Sequence, residues 1–165
     1  MIIAVDFDGT IVEHRYPEIG PERPGAIDAL KKLSSRHKLI LWTVRQGKEL
    51  AEAVEFCSKR GVIFYAVNSD TPDGSWDSEC PRKLKADMFI DDANLGGLPD
   101  WDVILQMVEN RLSFGDVVQE SLEGSRGHSK KHRRKHKCFI SRLASRCREA
   151  RQNVGHGGRH YHRHW

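Results

Sequence analysis

Four short, continuously apolar runs alternate along the chain with segments whose apolar residues recur at helical spacing. The runs are rich in Ile, Leu and Val, and they occupy residues 2–5, 39–42, 62–67 and 88–90. Such runs are typical of parallel strands that are buried on both faces. Their alternation with helices predicts an α/β three-layer sandwich with a central, mostly parallel sheet.

The segments between these runs predict three amphipathic helices. Apolar residues recur every three or four positions within residues 27–33, 50–57 and 103–108. Pro24 stands where the first turn of a helix tolerates proline, and Gly61 is placed to end the second helix.

The apolar content falls after about residue 116, which predicts a folded core over residues 1–116 and a tail over residues 117–165, disordered or loosely helical. From Gly124 onward the chain holds thirteen Lys or Arg and one Glu, and seven of the nine histidines. That segment carries a formal charge of +12, whereas the rest carries −8. A basic tail of this kind either binds nucleic acid through phosphate contacts or is a solvated extension.

The composition favours a cytoplasmic protein. No apolar run approaches the roughly 20 residues that a membrane-spanning helix needs. The run Ile2–Val5 is too short for a signal peptide and ends at Asp6. The four cysteines are scattered, so we expect free thiols.

Acidic pairs follow two of the predicted strands. Asp6 and Asp8 come after the first run, and Asp91 and Asp92 after the fourth. In a parallel sheet, functional groups gather beyond the carboxyl ends of the strands. Carboxylates crowded there repel one another, and a divalent cation such as Mg²⁺ is the obvious way to offset that repulsion. The alternative for the first pair is an ordinary polar turn.

Groups suited to a phosphate lie near the same edge. Thr43 and Arg45 follow the second run, where a hydroxyl and a fixed positive charge can bind phosphate oxygens. Lys83 and Lys85 precede the fourth run, and either is a candidate to neutralise charge there or a solvated surface residue.

Taken together, these elements strongly resemble the haloacid dehalogenase (HAD) superfamily of phosphotransferases. The resemblance rests on Asp-x-Asp-Gly-Thr at residues 6–10, Thr43, Lys83 and the pair Asp91-Asp92, in that order, and covers residues 1 to about 111. It implies a Rossmann-like core and a Mg²⁺-dependent phosphatase that cleaves a phosphate monoester.

The resemblance also implies roles for the first two carboxylates. Asp6 would be the nucleophile that forms an aspartyl-phosphate. Asp8 would protonate the leaving group and then activate water. An Asp rather than a Thr at position 8 resembles the phosphatase branch of the superfamily.

The other matched residues would hold the phosphate and the cation. Thr43 would bind a phosphoryl oxygen, and Lys83, whose spacing from Asp91 suits the role better than that of Lys85, would stabilise charge. Asp91 would bind Mg²⁺ together with Asp6 and the backbone carbonyl of Asp8, with Asp92 assisting directly or through water.

The chain resembles the capless members of the superfamily, because its two usual insertion points are short. Residues 11–23 hold only a flap, and residues 68–82 are too few for a folded domain. An open site admits a phosphorylated small molecule or a polymeric phosphate, or is covered by a neighbouring subunit. The flap residues Glu13, His14, Arg15 and Tyr16 are candidate substrate contacts or simply an exposed loop.

Two other functions fit the same residues. One is a catalytically weak domain whose basic tail binds nucleic acid. The other is phosphoryl transfer to an acceptor other than water. The substrate itself depends on loop geometry and is not predicted by the fold class.

Overall fold

The computed structural model describes residues 1–74 and 83–124. Within these residues the elements are, in chain order, β1 (Ile2–Val5), α1 (Ala26–Ser34), β2 (Lys38–Leu41), α2 (Gly47–Lys59), β3 (Ala66–Val67), β4 (Met88–Ile90), α3 (Trp101–Glu109) and α4 (Phe114–Gly124).

The four strands form one sheet in the order β3-β2-β1-β4, and every neighbouring pair is parallel. Val5 lies opposite Leu41 on one side and Ile90 on the other, so the carboxyl ends of the three longer strands are level. This arrangement confirms the predicted α/β class with a Rossmann-like parallel sheet.

The core forms where the predicted apolar runs meet the apolar helix faces. The side chains of Ile3, Val5, Ile40 and Leu41 are fully buried, as is Leu30 of α1. The periodicity within residues 27–33 therefore identified the correct buried face of α1.

Gly61 ends the second helix, as its position in the sequence predicts. It adopts a left-handed φ of 80°, and its N–H donates to the carbonyl of Ser58 at 2.9 Å. The next amide, that of Val62, donates to the carbonyl of Cys57 at 3.0 Å. These bonds satisfy carbonyls that the end of the helix leaves without intrahelical partners.

The third strand is shorter than its apolar run. Pairing with β2 covers only Ala66 and Val67, at the edge of the sheet. The amide of Val62 instead donates a hydrogen bond to the carbonyl of Cys57 at the end of α2, and Ile63 is 75% exposed. The prediction of a strand over residues 62–67 is therefore correct only at its carboxyl end.

The flap at residues 11–23 closes on itself between β1 and α1. The amide of Glu13 donates to the carbonyl of Pro21 at 2.8 Å, and the amide of Arg23 donates to that of Ile11 at 2.9 Å. The second predicted insertion point, residues 68–82, lies partly outside the described residues.

Helix α4 was not predicted, although its start carries a sequence signal. The hydroxyl of Ser113 accepts a hydrogen bond from the amide of Asp116 at 3.1 Å, and the Asp116 carboxylate accepts one from the amide of Ser113 at 2.8 Å. This reciprocal pair is a capping box. Bonds from Ser113 also lower the pKa of Asp116.

The chain divides into two compact units, Met1–Leu105 and Gln106–Trp165. Helix α4 crosses the predicted boundary after residue 116, and the basic tail beyond Gly124 lies outside the described residues. Among the residues that the structure describes, Cys57 is a buried free thiol. The same residues contain no helix that is both long and apolar enough to cross a bilayer.

We expect Gly61→Ala to lower the free energy of unfolding by about 1 kcal/mol, because a Cβ is unfavourable in the left-handed conformation. Gly115→Ala is the matched control. The φ of Gly115 is not positive, and an added Cβ would meet only the Ser113 hydroxyl at 3.5 Å. Chemical denaturation followed by circular dichroism measures the free energy of unfolding of both variants. An equal decrease in the two variants would contradict the assigned role of Gly61.

Candidate metal centre

The two acidic pairs lie side by side because β1 and β4 are neighbours. Asp6 directly follows β1, and its amide donates to the carbonyl of Ile90 at 3.0 Å. Asp91 and Asp92 continue the chain from that point. The parallel register therefore brings together residues that are 85 positions apart in the sequence.

Three carboxylates converge at this edge. One oxygen from each of Asp6, Asp91 and Asp92 lies within 4.8 Å of the other two. A set of carboxylate oxygens fits a hard divalent cation such as Mg²⁺ and disfavours soft metals. The residues predicted as Mg²⁺ ligands through their carboxylates are thus brought together, with Asp6 and Asp91 partly buried and Asp92 exposed.

The electrostatics of Asp6 reflect this crowding. Its pKa is raised from the ordinary 3.8 to about 7, chiefly by burial and also by the negative charges of Asp91 and Asp92. Hydrogen bonds from the backbone of Phe7 and the side chain of Thr10 act in the opposite direction. In the metal-free protein Asp6 therefore takes up a proton at a higher pH than an ordinary aspartate does.

The pKa of Asp92 depends both on its acidic neighbour in the cluster and on side chains of the flap. Burial and the charge of Asp91 raise its pKa, whereas His14 and Arg23 lower it. The flap therefore contributes electrostatically to the site.

The turn after β1 fits the cluster closely. Gly9 has φ of 89°, and a Cβ at this position would lie 2.4 Å from Oδ2 of Asp92. Thr10 is fully buried, and its hydroxyl accepts a hydrogen bond from the amide of Asp92 at 3.0 Å. Its carbonyl accepts one from Nε1 of Trp101 at 3.0 Å. Gly9 and Thr10 thus form the contact surface between the two acidic turns.

Asp8 lies in a different environment from Asp6. Its two oxygens accept hydrogen bonds from Nε and Nη2 of Arg45 at 2.6 and 2.7 Å, and both side chains are buried. The hydrogen bond to Asp8 raises the pKa of Arg45. Only the backbone carbonyl of Asp8 was predicted as a metal ligand, and its carboxylate is engaged by the guanidinium.

The predicted substrate contact of Arg45 does not agree with its position. Arg45 is 0% exposed. Nη1 donates to the carbonyl of Pro17 at 2.9 Å, and Nη2 donates to that of Glu18 at 2.9 Å. The guanidinium therefore lies between Asp8 and the flap, and it has no exposed surface that a substrate phosphate could contact in this conformation.

Thr43 follows β2, at the edge where the sequence places it. Its amide donates to Oδ1 of Asn68 at 2.8 Å, and its hydroxyl accepts a bond from the amide of Arg45 at 3.3 Å. These contacts fix the turn after β2. Its predicted bond to a phosphoryl oxygen stays a prediction.

The choice between the two lysines also stays open. Lys83 and Lys85 are both exposed, and in the described part of the chain neither makes an ion pair with the acidic cluster. The amide of Lys85 donates to Oδ1 of Asp70 at 2.7 Å, which fixes the backbone on the approach to β4.

We expect the metal-free protein to lose stability as the pH rises from about 4 to 7. Protonated Asp6 favours the folded state because its folded pKa of about 7 exceeds the ordinary 3.8, and that contribution disappears as Asp6 ionises. The melting temperature in chelator should therefore fall over this range, and Mg²⁺ should restore it above pH 7.

Asp6→Asn should flatten this pH dependence and weaken the response to Mg²⁺. Asp28→Asn changes an exposed carboxylate on α1 in the same way and should change neither. A wild-type melting temperature that rises over the same pH range would contradict the assigned environment of Asp6.

Comparison with known proteins gives one informative match. No protein-family model and no curated protein matches this sequence. A solved structure, described as that of the conserved protein coded by a locus from Bacteroides thetaiotaomicron, is 55% identical, with a TM-score of 0.66. The match covers 71% of this chain and 96% of that one.

Proposed function

We propose that this chain, which belongs to the same family as the conserved Bacteroides thetaiotaomicron protein, is a Mg²⁺-dependent phosphohydrolase of the HAD type. The observation that carries the proposal is the convergence of Asp6, Asp91 and Asp92 at the carboxyl edge of a parallel sheet. Asp8, two residues from the proposed nucleophile, is held by a buried guanidinium.

In the proposed reaction Asp6, Asp91 and Asp92 hold the cation. Bound Mg²⁺ would neutralise charge on Asp6 and on the substrate phosphate. A carboxylate oxygen of Asp6 then attacks phosphorus, the bond from phosphorus to the ester oxygen breaks, and that oxygen takes a proton from Asp8. Water, deprotonated by Asp8, hydrolyses the aspartyl-phosphate and releases inorganic phosphate.

The remaining predicted residues would hold the transferred group. Thr43 would donate its hydroxyl hydrogen to a phosphoryl oxygen, and Lys83 would place a positive charge near it. Support for Thr43 comes from its fixed position at the same sheet edge. For Lys83 the support is its place in the sequence before β4.

The direct test is release of inorganic phosphate from an aryl phosphate with and without Mg²⁺. We expect the wild type to require the cation, and Asp6→Asn to lose at least roughly 1,000-fold in kcat, because the nucleophile is removed. Asp28→Asn is the control and should leave kcat unchanged.

Failure of the wild type to turn over any of a panel of sugar phosphates, nucleotides and end-phosphorylated oligonucleotides would overturn the proposal. Phosphate release compared with transfer to added alcohols distinguishes hydrolysis from transfer to another acceptor.

The charge of the tail supports a second function, which is binding of nucleic acid by residues beyond Gly124. Thirteen basic residues and a formal charge of +12 favour contacts with phosphates. We expect salt-sensitive binding to single-stranded oligonucleotides that survives Asp6→Asn and is lost when the chain is truncated after Gly124. Binding that the truncated chain retains in full would contradict this role.

A further inference from the structure

We propose that Arg45 is a positioning residue that couples the closed flap to the orientation of Asp8. The inference rests on the proposed function, because Asp8 matters to catalysis only if the phosphohydrolase proposal holds. The coupling itself is a property of the fold and can be measured without turnover.

The hydrogen bonds of Arg45 join two parts of the chain through one rigid group. A guanidinium has five N–H donors in a fixed plane. Four bonds use them here, two to the carboxylate of Asp8 and one each to the carbonyls of Pro17 and Glu18. A shift of the plane that breaks the bonds to the flap therefore also misaligns the pair of bonds to Asp8.

Aromatic rings cover the same guanidinium. Its Cζ lies 5.0 Å from the ring centroid of Phe7 and 5.3 Å from that of Tyr16. Phe7 belongs to the turn after β1, whereas Tyr16 belongs to the flap. Tyr16 thus adds a third flap contact, and the burial of Arg45 depends in part on the flap being closed.

A displaced flap would leave Arg45 with solvent in place of two carbonyls and one ring. Its bonds to Asp8 would then compete with water and weaken. Conversely, a substitution at Asp8 that removes its carboxylate leaves the buried charge of Arg45 unpaired. The hydrogen bonds from Arg45 to the flap carbonyls would then weaken. Linkage requires the two effects to be reciprocal.

Lysine cannot replace this arginine, since an ammonium group has neither the planar fork nor the reach to four acceptors. We expect Arg45→Lys to lower kcat roughly 100-fold, a size typical of a misplaced catalytic group, with KM nearly unchanged. A direct substrate contact would instead raise KM.

Arg36→Lys is the control for activity. Arg36 is exposed and lies two residues before β2 begins, on the amino side of the strand, whereas the site lies at the carboxyl ends of the strands. We expect its kcat to stay at the wild-type value. An equal loss in both lysine variants would overturn the specific role of Arg45.

Hydrogen exchange tests the coupling independently of catalysis. The amides of Glu13 and Arg23 close the flap, so their protection reports on it. Arg45→Lys should speed their exchange roughly tenfold. The backbone of Asp8 forms a bridge with Val12 of the flap, whereas its carboxylate accepts hydrogen bonds from Arg45. Asp8→Asn changes the side chain alone, so faster exchange in that variant, but not in Asp28→Asn, would demonstrate coupling through Arg45.

Unchanged flap exchange in Asp8→Asn would overturn the coupling even if Arg45→Lys loosens the flap. Should Arg45→Lys fail to fold, Tyr16→Leu replaces it, because it removes a flap contact of Arg45 from the exposed side. That variant should lower kcat and speed flap exchange together. If the wild type hydrolyses no phosphate ester, the phosphohydrolase proposal fails. The hydrogen-exchange rates of the flap amides would still decide whether Arg45 couples the flap to Asp8.

Discussion

Repulsion among carboxylates at one sheet edge is the constraint on which the rest of the site depends. Asp6, Asp91 and Asp92 are brought within 4.8 Å of one another by the pairing of β1 with β4. The fold compensates with elements that add positive charge or remove negative charge. The raised pKa of Asp6 favours its protonation, and His14 and Arg23 on the flap lower the pKa of Asp92.

Asp6 and Asp8 belong to one short motif, yet the structure gives them opposite surroundings. Asp6 faces two other acids and has a raised pKa, whereas Asp8 faces a buried arginine that accounts for both of its oxygens. Proteins often assign different tasks to paired carboxylates by placing them in different environments. This difference does not by itself assign the proposed roles, because a nucleophile must be ionised and a bound cation would be needed to ionise Asp6 at neutral pH.

The sequence was sufficient for features that depend on local pattern. Apolar runs located β1, β2 and β4, helical periodicity located α1, and Gly61 marked the end of α2. Placement of Asp6 and Asp91 at one edge followed from the parallel direction of the strands, whereas the direct pairing of β1 with β4 is known only from the structure.

Features that depend on distant contacts were not predictable in the same way. Arg45 was predicted to bind phosphate oxygens, and only the folded chain shows that it reaches across 37 positions to Asp8. The third strand is shorter than its apolar run because the amide of Val62 bonds the carbonyl of Cys57 at the end of α2 and not a neighbouring strand. Helix α4 is the exception, since the capping box of Ser113 and Asp116 was visible in the sequence.

The pairing of β1 with β4 has a consequence for synthesis of the protein. Sequence-distant pairing is slow relative to local contacts, because a long loop must close first. The ribosome makes the Asp6 turn before its partners at Asp91 and Asp92, which emerge only after three further strands and two helices. A nascent chain that lacks β4 therefore has no complete acidic cluster, and the proposed cation site can form only at a late stage of folding.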